Sequence, residues 1–104
     1  MSFRRYEILL PKRYNDGATV GLEKFLQTNN DLARQFGAVS FLPETLRGIW
    51  IHGGRRFEED NVRLFVDVED TAENAAFFGR FKTTLKERFQ QIDIWIVSYE
   101  IRVT

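Results

Sequence analysis

The sequence predicts an α+β fold of the ferredoxin-like split βαβ type, in the order β-α-β-β-α-β. One four-stranded antiparallel sheet would be covered on one face by two helices. Three observations carry this reading. Residues 38–70 form a long bent hairpin, in which Val62, Leu64, Val66 and Val68 alternate with Arg63, Phe65 and Asp67, the period of a strand with one face in a core. Segments with helical spacing flank that hairpin on both sides. Alternating runs then open and close the chain.

Phe3 to Leu10 is the first strand, with Arg4, Tyr6, Ile8 and Leu10 on one side and Phe3, Arg5, Glu7 and Leu9 on the other. Pro11 ends it, and Asn15-Asp16-Gly17 signals a turn. Thr19 is the expected cap of the first helix, whose Leu22, Phe25, Leu26, Ala33 and Phe36 should face the sheet. The Thr28-Asn29-Asn30-Asp31 run is poor helix sequence and marks a place for a kink. Gly37 suits the helix end. In the hairpin, Val39 to Leu42 starts the first arm, Pro43 to Gly48 is a bulge or excursion, and Gly48 to His52 completes it. Gly53-Gly54 supplies the turn. The Glu58-Glu59-Asp60-Asn61 run is a weak strand former and a second candidate bulge. Asp70 or Thr71 caps the second helix, with Ala75, Phe78, Phe81 (or Lys82), Leu85 and Phe89 as its apolar stripe and Glu73, Lys86 and Arg88 placed to suit the helix dipole. Ile92 to Val103 is the last strand.

The chain has 104 residues, formal net charge zero, and no cysteine. That length fits a single domain over 1–104. The missing cysteines exclude disulfides and thiol chemistry. Zero charge gives no general pull toward nucleic acid or anionic lipid. No apolar run approaches the roughly 20 residues needed to span a bilayer, and the opening lacks a signal-like segment. A cytoplasmic location is the resulting expectation.

One sheet face should lie open. It is expected to carry Leu9, Trp50, Phe65 and either Trp95 or its neighbours, edged by Arg5, Glu7, Arg63 and Asp67. An apolar patch of that kind marks an interface or a ligand site. The favoured function is a non-enzymatic module that self-associates, most simply as a homodimer, through Trp50, Phe65 and Trp95, with room for a small ligand. A different class of reading is a small enzyme at the hairpin tip. There His52 would be acid or base, Glu58 or Glu59 its partner, and Arg55 an anion clamp. A solvated tip with local ion pairs explains the same residues, and no metal or cofactor motif is present. The third reading is single-stranded RNA binding by stacking on sheet aromatics. Arg47-Gly48-Ile49-Trp50-Ile51 resembles the aromatic strand of RNA-recognition domains, but the first strand lacks a central open-face aromatic and the net charge argues against it.

Leu10-Pro11 followed by Asn15-Asp16-Gly17, then Phe36-Gly37, Gly48-Ile49-Trp50, Glu58-Glu59 and Lys86-Glu87-Arg88-Phe89-Gln90-Gln91 carry a resemblance over most of the chain. On these residues the chain resembles uncharacterised families of short bacterial proteins of about this length, classed as domains of unknown function. The resemblance implies a small ferredoxin-like or related α+β domain in the cytoplasm. It implies no activity and no site residues.

Overall fold

A computed structural model describes residues 2–104, with the side chains of residues 42–46 left aside. Its elements are β1 (Phe3–Pro11), α1 (Leu22–Phe36), β2 (Ser40–His52), β3 (Arg55–Glu69), α2 (Ala72–Arg88) and β4 (Trp95–Ile101). The sheet order is β2-β3-β1-β4, and every pairing is antiparallel. This is the ferredoxin-like arrangement the alternation predicts.

β1 is central because both of its edges are paired. Its even-numbered residues Tyr6, Ile8 and Leu10 are buried, as are Val62, Leu64, Val66 and Val68 of β3. Register aligns them in rows across the sheet: Ile96, Ile8, Leu64 and Phe41 form one row under the helices. From above, Phe25, Leu32, Phe78, Phe81, Leu85 and Phe89 close the core. Tyr6 stacks on Phe78 at 3.8 Å between centroids. Phe25 meets Phe89, and Phe36 meets Phe77 and Phe78. The start of α1 therefore lies beside the end of α2, so the helices run antiparallel.

α1 differs from expectation in three ways. Its cap is Gly21, with no side-chain cap bond, while Thr19 bridges to Arg13 instead. The helix also runs unbroken through Thr28 to Asp31. The reason is a polar clasp to α2. Thr28 Oγ1 donates to the Lys24 carbonyl at 2.8 Å and accepts from Arg88 Nη1 at 2.9 Å. Arg88 Nη2 reaches Asp31 at 2.7 Å, and Lys24 Nζ donates to the Arg88 carbonyl. Thr28 and Asp31 thus turn their side chains to a neighbouring helix rather than to competing local turns, while Asn29 Oδ1 is buried without a hydrogen-bond partner among the described residues. Thr28 then takes the core-facing position, which leaves Leu22 and Leu26 exposed. In α2, Thr71 accepts from Asn74 N–H as its cap, and Ala75 lies outside the stripe, on the exposed side.

The hairpin is irregular in one strand only. Register slips in β2 between Leu42 and Leu46, whereas 58–61 of β3 pair in even steps with 46–49. The expected bulge at Glu58 to Asn61 is therefore absent, and the irregularity of the bend lies in β2. The last strand is shorter than the apolar run suggests. It begins at Trp95, with Ile94 buried just before it and Ile92 exposed.

These placements set a contrast. Truncating Leu85, which is fully buried, to alanine should lower unfolding free energy by about 2–5 kcal/mol. Leu26→Ala should change it by no more than about 0.5 kcal/mol. Urea denaturation of both variants checks the assignment of the core face.

The open sheet face and the projecting arm

With the even-numbered residues of β1 and β3 turned to the helices, their neighbours form the open face. Register arranges it in four rows. Trp95, Leu9 and Arg63 make the first; Val97, Glu7, Phe65 and Ser40 the second; Tyr99, Arg5 and Asp67 the third; Ile101, Phe3 and Glu69 the fourth. β4 contributes its Trp95 row to this side, since Ile94 and Ile96 pack on the core. Trp95 is 63% exposed and Tyr99 43%.

Several polar groups here are paired to one another. Arg5 forms a bidentate pair with Asp67, at 2.7 and 3.0 Å, and its guanidinium lies 4.1 Å above the Phe65 ring. That hydrogen bond to Asp67, outweighing the opposing effect of burial, raises the Arg5 pKa further above its ordinary value. Tyr99 donates to Glu7 Oε1 at 2.6 Å. This bond is the main reason its phenol titrates above the usual 10.0. On the helix side of the same strand, Arg4 bonds Asp70 and Ser98. Among the described residues Arg63 and Glu69 have no charged partner.

The alternation places Trp50 beside Phe65 and Trp95, but in the structure it lies elsewhere. β1 pairs with β3 only from Asn61 to Glu69, so β3 from Arg55 to Glu59 pairs with β2 alone. This distal ribbon projects as an arm. Phe57, the cross-strand neighbour of Trp50, is about 26 Å along β3 from Phe65 at roughly 3.3 Å per residue. Trp50 keeps the alternation of the open face but belongs to a separate patch. Its ring stacks on Phe57 at 4.2 Å, and the Arg55 guanidinium lies over the Phe57 ring at 5.2 Å. Counting back from the Gly53-Gly54 turn pairs 50 with 57, a signal for Phe57 that the alternation alone does not use. The opposite side of the arm carries Ile49 and Ile51, with Ile51 72% exposed.

Alternation also separates the residues of the acid/base reading. His52 is exposed and faces Arg55, 6.3 Å from the Trp50 ring between centroids. Glu58 is on the other side of the ribbon, paired with Arg56 at 3.3 Å and Arg47 at 3.9 Å. Arg47 also bonds Asp60. Glu59 shares the His52 side but sits opposite Gly48, four strand positions past Arg55, or roughly 13 Å. Neither carboxylate is placed to hold the imidazole. Among the described residues no cluster of three or more His, Asp or Glu could hold a metal ion, and no helix is long and apolar enough to cross a membrane.

No family model matches the chain, and no curated protein matches it in sequence. Solved structures do match. The divalent cation tolerance protein CutA1 of Thermus thermophilus aligns over 98% of this chain and 86% of its own, with TM-score 0.67 and 17% identity. CutA1 of Oryza sativa covers 100% and 84%, with TM-score 0.69 and 8% identity. A phage SAM lyase in complex with S-methyl-5'-thioadenosine covers 98% and 90%, with TM-score 0.67 and 16% identity. At these identities the likeness establishes the shared α+β fold.

The open face makes a pH prediction. Tyr99 is raised by its bond to Glu7 and Tyr6 mainly by burial, so folding favours the neutral phenols. The stability they add is complete below the unfolded value near 10 and is lost as pH rises through the folded values. Denaturation midpoints followed above pH 10 should fall, and Tyr99→Phe should flatten part of that slope. An unchanged slope in Tyr99→Phe would count against the Glu7 bond.

Proposed function

We propose that this chain is a non-enzymatic α+β module whose working surface is its uncovered sheet face, used for self-association. The observation that carries this reading is the aromatic and aliphatic content of that face: Trp95, Leu9, Val97, Phe65 and Ile101 lie on the side that the helices leave bare. Sheets exposed on one side ordinarily show polar residues there, and contiguous apolar surface on a small protein marks a contact. Arg5 and Asp67 among the apolar groups are already an ion pair, while Glu7 accepts from the neutral Tyr99 phenol and carries its charge into the contact.

The arm supports the same reading. A two-stranded ribbon with no core beneath it is marginal in water, and this one exposes Ile49, Trp50 and Ile51. Trp50 and Arg55 thus offer a second contact surface beyond the main face. The names of the structural neighbours, divalent cation tolerance protein and SAM lyase, differ from one another on one fold, so the fold does not choose a role.

Light scattering on a sizing column, run over a concentration series, tests the proposal. The wild type should have a mass above the 12.3 kDa of one chain. Phe65→Ala and Trp95→Ala should each shift it toward the monomer, by a tenfold or greater rise in dissociation constant if either is a central contact, about 1.4 kcal/mol. Unchanged assembly in both variants overturns the assignment of this face.

A further inference from the structure

Resting on the reading that the open face meets a second copy, we propose that the two sheets pack face to face about a two-fold axis crossing β1 between Arg5 and Glu7. The argument is the order of charge on that face. Along β1 the open positions are Phe3, Arg5, Glu7 and Leu9. The series is apolar, positive, negative, apolar. Turned end for end and laid on itself, it sets Arg5 over Glu7 of the second copy, Glu7 over its Arg5, and Phe3 over its Leu9.

The flanking strands obey the same axis. On β3 the open positions are Arg63, Phe65, Asp67 and Glu69. The rotation brings Arg63 over Glu69 of the second copy, joining two charges that have no charged partner among the described residues. Asp67 comes over Phe65, a ring that already carries Arg5 on its face. On β4, Trp95 meets Ile101 and Val97 meets Tyr99. An axis running along β1 instead stacks Arg5 on Arg5 and Glu7 on Glu7. Like charges in direct opposition disfavour that register.

The size is close to what such a contact needs. β1 and β3 pair over nine residues and β4 over seven, while β2 lies beside them only over Ser40 to Leu42, so at ordinary strand spacings the face has about 450 Å² of flat footprint per copy. Both copies together come to about 900 Å², near the ~1,000 Å² expected of a specific contact. Packed sheets lie about 10 Å apart, a gap that an Arg and a Glu bridge from opposite sides. The charges mainly set register, while the β4 row and the Phe3–Leu9 pairs supply apolar burial. The arms leave at opposite ends, each running past the Phe3 end of the other copy.

Charge reversal tests the axis. In an isologous contact each pair occurs twice, so Arg63→Glu and Glu69→Arg should each raise the dissociation constant about tenfold or more. The double variant, which restores opposite charges across the axis, should return to within about threefold of wild type. An independent readout uses the cysteine-free chain: Phe3→Cys with Leu9→Cys should form a covalent dimer on oxidation, and Leu9→Cys alone should not. A wild type that stays monomeric at all concentrations overturns self-association itself, and the face would then be offered to a foreign protein or to RNA. A wild type that assembles while the double variant stays as weak as the singles, or while Leu9→Cys alone cross-links equally well, overturns only the axis. Circular dichroism melts of each variant separate loss of contact from loss of fold.

Discussion

A strand turns alternate residues to opposite faces, and here two helices cover only one of them. Everything else follows from that constraint. The covered side takes Ile8, Leu64 and Leu10, all fully buried, and they fix the register of the central strands, because a one-residue slip would exchange the faces. The aromatic layer of the helices then has one place to settle, with Phe78 on Tyr6 and Phe89 against Phe25. The same alternation leaves Leu9, Phe65 and Trp95 bare. The surface assigned to function is thus a by-product of how the core is specified.

The two helices are tied by polar as well as apolar contacts. Arg88 is nearly buried, yet its guanidinium reaches both Thr28 and Asp31. Buried polar groups add specificity when every member is satisfied. Here the cation, the hydroxyl and the carboxylate satisfy one another and hold α1 in a single rotation about its axis. That rotation places Phe25 and Leu32 on the sheet and leaves Leu22 and Leu26 in solvent.

Much of this was legible in the chain. The alternation of Val62 to Val68 and of Tyr6 to Leu10 is a direct imprint of one-sided burial, and the Gly53-Gly54 turn, with φ of 59 and 76, needed residues without a Cβ. What was not legible depends on partners distant in sequence. Thr28 looks like a helix breaker until Arg88, sixty residues away, gives its hydroxyl a role. Trp50 has the alternation of the open face, but alternation says nothing about where β1 stops. Only the termination of β1 pairing at Asn61 separates Trp50 from Phe65 and makes an arm. For the same reason His52 and Glu58, close in sequence, fall on opposite sides of one ribbon.

The slipped register of β2 between Leu42 and Leu46 has a consequence beyond the shape of the hairpin. β2 is an edge strand of thirteen residues, long enough to template indiscriminate strand addition and fibril growth. An irregularity in its middle breaks the even ladder of outward-facing amides and increases the local twist. A passing chain then finds two short, mutually rotated docking lengths in place of one long flat one. The irregularity that interrupts β2 thus also shortens the even edge open to strand addition.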